Sequence, residues 1–360
     1  MALRGPSLQL PIISANGQRR TARPRGITMD SMRSKATVFE EGHLEHPNWS
    51  GETPLSRLVG ALISFKPLYS VLKLAARRVM ISTAEKNNIP WRKMTSEILE
   101  SADVYKELES VQNLSIVYPD YYLKPFHAYD EGHLSWLAAA EVEPATMSMV
   151  MRAVPEASSL DEAKEVVFGN WLRTVDEHHR QYSGNPILHI LDIGCSIGLS
   201  TRYLADKFPL AKTTGLDLSP YFLAVAQYME KKRTAPRKNA IRWLHENGEH
   251  TSLPSQSFDL VSIAYLFHEC PQVAIVNLLK ESFRLLRPGG TIAITDNAPK
   301  SKITQELSPI IFTLLKSTEP YLDEYYLTDL EGRMREVGFV NVKSRLTDPR
   351  HVTVTATVPH

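Results

Sequence analysis

Two short apolar runs, each with an aspartate at or next to its end, constrain the fold of this chain more than any other feature. The first, residues 189–193, leads into the small-residue loop Gly194-Cys-Ser-Ile-Gly198 and then into a helical pattern. The second run ends at Asp217, nineteen residues after Gly198. A strand, a glycine turn, a helix and a second strand with a terminal acid form a unit that binds a nucleoside-bearing cofactor at the carboxyl end of a parallel sheet. The sequence therefore predicts an α/β fold with such a site.

The loop between these strands disfavours a dinucleotide. A dinucleotide site expects Gly-x-Gly-x-x-Gly, so that the pyrophosphate rests on the helix N-terminus. Here Leu199 stands where the third glycine is expected, and no phosphate-binding lysine follows the loop. Asp192, just before the loop, would repel a phosphate but suits an ammonium group or a polarised water.

The spacing Asp192-x-Gly194-x-Ser196-x-Gly198 resembles motif I of the class I methyltransferases that use S-adenosylmethionine. The resemblance implies that this loop lines the methionine end of the cofactor and that Asp217 binds the ribose. Ser196 replaces the usual middle glycine, which crowds the loop but adds a hydroxyl group.

The resemblance continues as five ordered motifs over roughly residues 185–300. Residues 243–254 match the adenine-binding segment, residues 257–269 the fourth strand, and residues 285–290 the turn into the fifth strand. The chain is most similar to the type 11, ubiquinone/menaquinone C-methyltransferase-like group and to related plastid and cyanobacterial small-molecule enzymes. The cofactor contacts that this implies are Asp192, Gly194, Cys195, Ser196, Gly198, Asp217, Leu218, Asn247, Gly248, Glu249 and Tyr265.

The family fold implies a Rossmann-like, seven-stranded, mostly parallel sheet that closes with an antiparallel hairpin. Alternating residues in 340–344 and 352–358 predict that hairpin. Residues 1–48 are predicted to be a leader, 49–184 a helical region and 185–360 the cofactor-binding domain. The long helical region departs from the compact quinone methyltransferases.

Methyl transfer from a sulfonium needs alignment of the acceptor and exclusion of water, and a general base only where an acceptor proton must leave. His268 and Glu269 follow the fourth strand and are the candidates for that base. The aromatic segments 118–129 and 321–326 predict a small aromatic or isoprenoid acceptor. The substrate-contacting candidates are Tyr122, His127, Tyr325 and Tyr326. Whether oxygen, nitrogen or carbon is methylated stays open.

Three other functions fit parts of the sequence. The chain could methylate a protein, or bind the cofactor as an inactive scaffold. Gly194-x-Ser196-x-Gly198 also matches the nucleophile elbow of α/β-hydrolases, with Asp296 and His351 following in the required order. That class needs several earlier strands and an oxyanion loop, which residues 55–185 do not offer, and it leaves Asp217 unexplained.

The first residues have the composition of a transit peptide. No acid precedes Asp30, while five arginines occur among Ser, Thr, Pro and Ala. Several prolines and the lack of a strong amphipathic helix favour the plastid, with the cytoplasm as the alternative. Without residues 1–35 the chain keeps 34 basic and 39 acidic residues, a net charge of −5. This charge argues against a nucleic-acid partner.

Residues 55–86 combine apolar and basic side chains and are predicted to form two helices separated at Pro67. They would either lie on a membrane surface or pack against the catalytic domain. No apolar run reaches the length of a membrane span. Only Cys195 and Cys270 are present, and no His-x-x-x-His-Glu spacing occurs, so the sequence predicts no metal site. The oligomeric state stays open.

Apolar spacing predicts helices over residues 101–112, 134–154 and 160–178, with Ser159 as the cap of the third. Pro144 is expected to kink or split the second of these helices. Beyond the fifth strand, the pattern predicts a helix over 303–316, an aromatic and acidic loop over 317–326, and a helix over 330–337.

Overall fold

The computed structural model describes residues 39–44, 47–50, 54, 57–58, 61, 77–127 and 129–360. Residues 39–360 form one compact unit. The predicted leader lies almost wholly outside the described residues, and so does most of the apolar-basic segment 55–86, of which residues 77–86 are helical. No helix in the described part of the chain combines the length and the apolar composition that a membrane span requires.

Seven strands form a single sheet in the order β3-β2-β1-β4-β5-β7-β6. The first five run parallel to one another, while β7 is antiparallel to both β5 and β6. This confirms the predicted mostly parallel sheet with a terminal antiparallel hairpin. The strands are β1 (His189–Ile193), β2 (Lys212–Asp217), β3 (Arg242–His245), β4 (Phe258–Ala264), β5 (Leu286–Asn297), β6 (Val340–Leu346) and β7 (His351–Thr357).

The central strands are apolar on both faces because helices cover the sheet on both sides. In β1 and β4, Ile190, Leu191 and Leu260 have no exposed surface, as parallel strands between two helical layers require. Leu191 belongs to the apolar core on one face of the sheet, and Ile190 and Leu260 belong to the core on the other. β6, at the edge of the sheet, is mostly exposed.

In the part of the chain that the structure describes, the sheet is surrounded by α-helices, twelve of which have both ends defined. They are α1 (Trp91–Leu99), α2 (Ala102–Val111), α3 (Trp136–Ala153), α4 (Leu160–Lys164), α5 (Asn170–Tyr182), α6 (Leu199–Lys207), α7 (Pro220–Lys231), α8 (Gln272–Leu285), α9 (Lys302–Gln305), α10 (Pro309–Lys316), α11 (Leu322–Leu327) and α12 (Leu330–Val337). A 3₁₀ turn, Phe267–Glu269, lies between β4 and α8.

The helices that precede β1 pack on the sheet and on the helices that flank it. α2 lies against α7, where the Glu107 carboxylate accepts hydrogen bonds from Lys231 Nζ at 2.7 Å. Just after α2, the backbone N–H of Asn113 donates to His245 Nδ1 at 2.8 Å. These contacts attach the helical region to the side of the sheet where the cofactor is predicted to bind.

Two predicted helices differ from those in the structure. Pro144 lies inside the continuous helix α3, so the expectation that it splits this segment is wrong. Ser159 caps the next helix as predicted, its Oγ accepting from the Glu162 N–H at 3.1 Å. The helix predicted over residues 160–178 is nevertheless interrupted by a π-helical turn, Glu165–Gly169, which separates α4 from α5.

The segment after β5 departs further from the expectation. The single helix predicted over residues 303–316 is wrong, because the chain forms α9 and then restarts at Ser308, whose Oγ accepts from the Ile311 N–H at 3.3 Å. Pro309 is the first residue of α10, where its missing N–H costs nothing. The aromatic loop predicted over 317–326 contains the short helix α11.

Candidate cofactor and acceptor site

Asp192 and Asp217 lie at the carboxyl ends of two adjacent parallel strands. β1 and β2 pair in register, with Ile193 opposite Leu216, so both strands reach the same edge of the sheet together. The loop of residues 194–198, here named the cofactor loop, leaves β1 at this edge and enters α6. The topology thus brings Asp192, Asp217 and the cofactor loop together, as expected for residues that the sequence analysis assigned to the same ligand.

The cofactor loop is a tight left-handed turn. Gly194 and Gly198 have φ angles of 69° and 77°, and Ser196 between them has 49°. A Cβ at Gly194 would lie 2.7 Å from Leu266 Cδ2, and one at Gly198 would overlap the Trp243 ring. Both glycines are therefore required by the backbone and by its surroundings. Cys195 is buried, and its N–H donates to Leu216 O at 3.0 Å.

Asp217 holds this turn in place. One carboxylate oxygen accepts from the Ser196 N–H at 2.7 Å, and the other accepts from the Ser219 N–H at 2.8 Å. Burial raises the pKa of Asp217 to about 6, although these two hydrogen bonds oppose the shift. Each oxygen keeps a second lone pair, and two neighbouring acceptors suit the two hydroxyl groups of a ribose. The carboxylate therefore fits the role that the sequence predicts.

Asp192 has no exposed surface. Its Oδ2 accepts from the hydroxyls of Ser200 and Thr201, both at 2.6 Å, so it fixes the first turn of α6. Burial raises the pKa of this carboxyl group, whereas the hydroxyls of Ser200, Thr201 and Ser262 oppose the shift. Ser262 is the residue paired with Asp192 in the neighbouring strand β4. Asp192 therefore holds the end of β1 and the start of α6 from inside the sheet.

The predicted adenine segment is a tight turn after β3. Asn247 is buried, and its Oδ1 accepts from the Glu249 N–H at 2.9 Å. A Cβ at Gly248 would lie 2.5 Å from Ile193 Cγ2, so the turn packs directly on the end of β1. The Leu218 carbonyl accepts a hydrogen bond from His245 Nε2 at 2.9 Å, which links the ends of β2 and β3.

Residues 113–127 and 129–135, here named the cover segment, lie over these strand ends. Tyr121 donates its hydroxyl to Glu249 at 2.9 Å, and Asn277 donates to the other oxygen of the same carboxylate at 2.9 Å. The Ser219 hydroxyl donates to the His133 carbonyl at 2.7 Å. The Tyr122 ring packs edge-on against His133, and its hydroxyl is buried without a partner in the described residues. The cover segment therefore shields the cofactor edge of the sheet from water.

His268 lies in the 3₁₀ turn after β4 and is buried. Its Nδ1 is 2.7 Å from Asp296 Oδ1, at the end of β5. Burial alone would lower the pKa of His268, but the Asp296 carboxylate outweighs it and raises the pKa to about 10. At neutral pH this imidazole therefore carries a proton on each nitrogen. As a base it would first have to release one of them, which the sequence did not anticipate.

Glu269 lies beside His268, with its carboxylate 3.9 Å from His268 Nε2 and 3.7 Å from His133 Nδ1. Burial raises the pKa of Glu269 to about 7, and it lowers the pKa of His133 to about 3. A carboxylate with a pKa near neutrality can accept a proton and release it again. Of the two predicted bases, Glu269 is thus the better matched to neutral pH.

His127 and Glu319 complete this group of side chains. His127 Nε2 is 3.3 Å from Glu319 Oε1, and the two residues come from the cover segment and from the turn before α11. Burial by itself would raise the pKa of Glu319, but the hydrogen bond from His127 lowers it. The His127 and His268 rings lie 6.3 Å apart. His127, His133, His268, Glu269 and Glu319 are named the imidazole–carboxylate cluster below.

The three other tyrosines among the predicted site residues have different surroundings. Tyr265 follows the last residue of β4 with a φ of 57°, and its ring packs edge-on against His351. The Tyr325 hydroxyl donates to the Asn297 carbonyl at 2.8 Å, which supports the end of β5. Tyr326 packs against Trp49 and Phe312 in an apolar cluster. The structure therefore brings Tyr122 and His127 to the cluster, while Tyr325 and Tyr326 contact backbone and apolar neighbours.

The hydrolase alternative requires Ser196, Asp296 and His351 to form a relay. Asp296 instead pairs with His268, and His351 Nδ1 lies 2.7 Å from Asp348. Asp296 and His351 thus pair with residues other than each other, and the arrangement offers no base that would activate Ser196.

Sequence reasoning did not include three residues that the structure adds to the site. His133 and Glu319 complete the cluster, and Tyr121 binds Glu249. Tyr121 stands in the aromatic segment 118–129 and Glu319 in the aromatic and acidic loop 317–326, whereas His133 lies four positions beyond the first segment. Their partners, however, are more than 100 positions away, so no local spacing connects them.

Residues 191–294 match the family model described as a methyltransferase domain. A demethylmenaquinone methyltransferase of Lactococcus lactis is 32% identical over 146 residues, which cover 40% of this chain and 55% of that protein. A phthiotriol/phenolphthiotriol dimycocerosates methyltransferase of Mycobacterium leprae is 31% identical over 114 residues, covering 32% and 39%. The chain thus spans about half of the length, or less, of the curated relatives that it matches.

Among solved structures, the chain is similar to phosphoethanolamine N-methyltransferase 2 of Haemonchus contortus, solved in complex with S-adenosyl-L-methionine. The TM-score is 0.42, the sequence identity is 18%, and the match covers 53% of each chain. The family match covers β1 to β5 and includes the cofactor loop, Asp217 and the turn after β3. Over residues 191–294 the chain is therefore similar to a methyltransferase domain.

Proposed function

We propose that this protein transfers a methyl group from S-adenosylmethionine to a small apolar metabolite, aromatic or isoprenoid in character. The observation that carries the proposal is the pairing of the cofactor loop with Asp217. The Ser196 N–H and the carboxylate of Asp217 fix each other at 2.7 Å, and the same carboxylate keeps acceptors for ribose hydroxyls. On the other side of the loop, Asp192 fixes the first turn of α6 through Ser200 and Thr201.

When bound, the sulfonium of the cofactor supplies an activated methyl group, so the protein chiefly has to align the acceptor with it. The cover segment excludes water from the strand ends through Tyr121 and Tyr122. Where an acceptor proton has to leave, Glu269 receives it, because its pKa of about 7 allows it to be ionised at neutral pH. His268 stays protonated beside Asp296 and stabilises the negative charge that develops on the acceptor.

The acceptor class follows from the side chains around the cluster. Tyr122 and Phe126 place aromatic rings against His133, with the Phe126 ring centroid 4.9 Å from the imidazole. Such a surface suits a flat or isoprenoid apolar molecule. The names of the relatives, a demethylmenaquinone and a phthiotriol dimycocerosate methyltransferase, point to apolar lipid-like acceptors and support this choice.

We further propose that the basic first residues direct the protein to the plastid and that the part of segment 55–86 before residue 77 lies on a membrane surface there. Residues 77–86 pack against α3, through Ile81 and Ala84 and through the ion pair of Arg77 with Glu141, as the alternative interpretation of the sequence predicts. The support for both comes from composition: five arginines without an acid before Asp30, and apolar residues mixed with basic ones over 55–86. An apolar acceptor dissolved in a membrane would be reached from such a position.

Calorimetric titration of the full chain with S-adenosylmethionine and S-adenosylhomocysteine tests the proposed cofactor site. We expect micromolar binding of both, and we expect Asp217→Ala to abolish it, because the substitution removes the ribose acceptors and loosens the cofactor loop. Asp103→Ala, which removes an exposed carboxylate from α2, is the matched control and should bind like the wild type.

A folded wild-type protein that binds neither compound would overturn the proposed function. Equal loss of binding in Asp103→Ala and Asp217→Ala would show that general charge, not this carboxylate, is responsible. With binding established, a labelled methyl donor and fractionated apolar metabolites would identify the acceptor.

A further inference from the structure

The imidazole–carboxylate cluster brings potential metal ligands together from distant parts of the chain. The ligand atoms of His127, His268 and Glu319 all lie within 4.8 Å of one another. The same is true of a second trio, His127, His133 and Glu269. The residues come from the cover segment, from the turn after β4 and from the turn before α11, so the fold assembles this group.

We propose that His127, His268 and Glu319 bind a divalent transition-metal ion, a site absent from the sequence prediction. His127 Nε2 and Glu319 Oε1 are 3.3 Å apart. Two ligands at about 2.0–2.2 Å from one tetrahedral ion are separated by about 3.3–3.6 Å. This pair therefore needs almost no movement to chelate an ion. The sequence predicted no metal because a search for local spacing does not detect ligands from three separate segments.

Asp296 prepares His268 for this role. The Nδ1 of His268 lies 2.7 Å from the Asp296 carboxylate, which leaves Nε2 directed toward the cluster. A bound ion would take the place of the proton on Nε2 and would replace the protonated imidazole as the positive charge next to the acceptor. Metal-binding histidines characteristically donate their other N–H to a carboxylate, which fixes both the tautomer and the orientation of the ring. Asp296 is itself held by the Phe267 N–H at 2.8 Å. The hydrogen bonds that usually orient a metal-binding histidine are thus present around His268.

The charges around the cluster favour a cation. Three carboxylates, those of Asp296, Glu269 and Glu319, surround the imidazoles, and all three have side chains at most 17% exposed. A divalent ion would offset this concentration of negative charge. Imidazole together with carboxylate is a donor set for zinc, iron, manganese or cobalt, whereas magnesium and calcium prefer oxygen ligands alone.

Three protein ligands leave a coordination position free, as in catalytic zinc sites and in the two-histidine, one-carboxylate iron sites. Glu269, whose carboxylate lies 3.9 Å from His268 Nε2, is the group beside this trio that is proposed to receive the acceptor proton. The ion would therefore hold an oxygen atom of the acceptor, a hydroxyl or a carbonyl, beside the methyl donor. This role rests on the proposed function, whereas the binding of the ion does not.

The experiment is a titration of the chelator-treated full chain with Co²⁺, followed by the visible absorption of the bound ion. We expect one Co²⁺ per chain, with the absorption of a four- or five-coordinate site, and displacement of it by Zn²⁺. His127→Ala and Glu319→Gln should each weaken Co²⁺ binding by about tenfold or more. His189→Ala is the matched control, because this histidine begins β1 at the opposite edge of the sheet.

His127 is half-exposed, so His127→Ala is the variant that least disturbs folding. Its circular dichroism and its S-adenosylmethionine binding should equal those of the wild type. Lack of stoichiometric Co²⁺ binding by the wild type would overturn the metal site, and so would equal affinity in His127→Ala, Glu319→Gln and His189→Ala. Since metal and cofactor are titrated separately, loss of cofactor binding alone would count against the proposed function and leave the metal site standing.

Discussion

Asp217 joins two local structures with a single carboxylate. Through the Ser196 N–H it fixes the cofactor loop, and through the Ser219 N–H it fixes the start of α7, where the Ser219 hydroxyl accepts from the Phe222 N–H at 3.3 Å. Its burial raises its pKa to about 6. Without ligand, the contribution of this group to stability is therefore fully present below about pH 4 and is lost as the pH rises through 6.

The raised pKa of Asp217 predicts a pH dependence of cofactor binding. Only the ionised carboxylate accepts from both ribose hydroxyls, so we expect the affinity for S-adenosylhomocysteine to fall as the pH is lowered through 6. Well below the pKa the loss should approach about tenfold per pH unit. Calorimetry from pH 7.5 to pH 5 measures it.

Asp217→Asn is the control for this prediction. It keeps the shape of the side chain but does not titrate, so whatever pH dependence remains belongs to the ligand and to other groups. A wild-type profile parallel to that of Asp217→Asn would show that Asp217 does not titrate in this range.

At the scale of elements, the cover segment is packed at some points and strained at others. Tyr121 is bonded to Glu249, whereas the Tyr122 hydroxyl is buried without a partner among the described residues. His127 adopts a φ of 47°, in the left-handed region that a side chain with a Cβ disfavours. Gly132 has a φ of 58°, which glycine adopts without strain. A polar group buried without a hydrogen bond lowers the stability of the fold. The Tyr122 hydroxyl is thus a weak point of the cover segment.

Two tyrosine-to-phenylalanine substitutions should act in opposite directions. Tyr122→Phe removes an unpaired hydroxyl, so we expect the free energy of unfolding without ligand to rise by about 1 kcal/mol. Tyr325→Phe removes the hydrogen bond to the Asn297 carbonyl and should lower it by about 1 kcal/mol. Urea denaturation of both variants measures the difference. A loss of stability in Tyr122→Phe equal to that in Tyr325→Phe would mean that the Tyr122 hydroxyl is hydrogen-bonded after all.

The sequence predicted the sheet and the cofactor edge because their signals are local. The apolar runs of β1 and β2, the glycines at 194 and 198 and the acid at 217 lie within one strand-helix-strand unit. The helix over 330–337 and the final hairpin follow from short-range patterns in the same way. Elements of this kind are specified by neighbours in the chain.

What the sequence could not predict depends on distant neighbours. The split between α9 and α10 was missed because the apolar spacing continues across Ser308, although Pro309 was a local signal for a new helix. The charge of His268 depends on Asp296, 28 positions later, and His127 meets Glu319 only in the folded chain. No hydrophobic periodicity in the sequence predicts such contacts between distant residues.

At the scale of the whole molecule, α5 is bonded to the antiparallel side of the sheet by two adjacent histidines. His178 lies between the hydroxyls of Thr355 and Thr357, at 2.9 and 3.0 Å. His179 Nδ1 lies 2.9 Å from the hydroxyl of Thr291 in β5. Burial lowers the pKa of His178 to about 4 and also lowers that of His179. Helix and sheet are therefore joined by imidazoles that stay neutral when folded.

These histidines predict a loss of stability in weak acid. The unfolded chain gains protons on them below about pH 6.5, whereas folded His178 resists protonation until about pH 4, so stability is lost as the pH falls between these values. For His178 alone, the loss between pH 7 and pH 5 should be about 2 kcal/mol. Urea denaturation at both pH values should show a smaller loss in His178→Gln, and His179→Gln should change it in the same direction. Equal losses in wild type and His178→Gln would contradict this account.

The contact between His178 and Thr357 can form only late in the synthesis of the chain. The two residues are 179 positions apart in the chain. At about 5–20 residues per second, a ribosome needs about 10–40 s to make the strand after it has made the helix. For that interval α5 is present without the threonines that bond its histidines, and its docking on β5 and β7 is one of the late events in the assembly of the molecule.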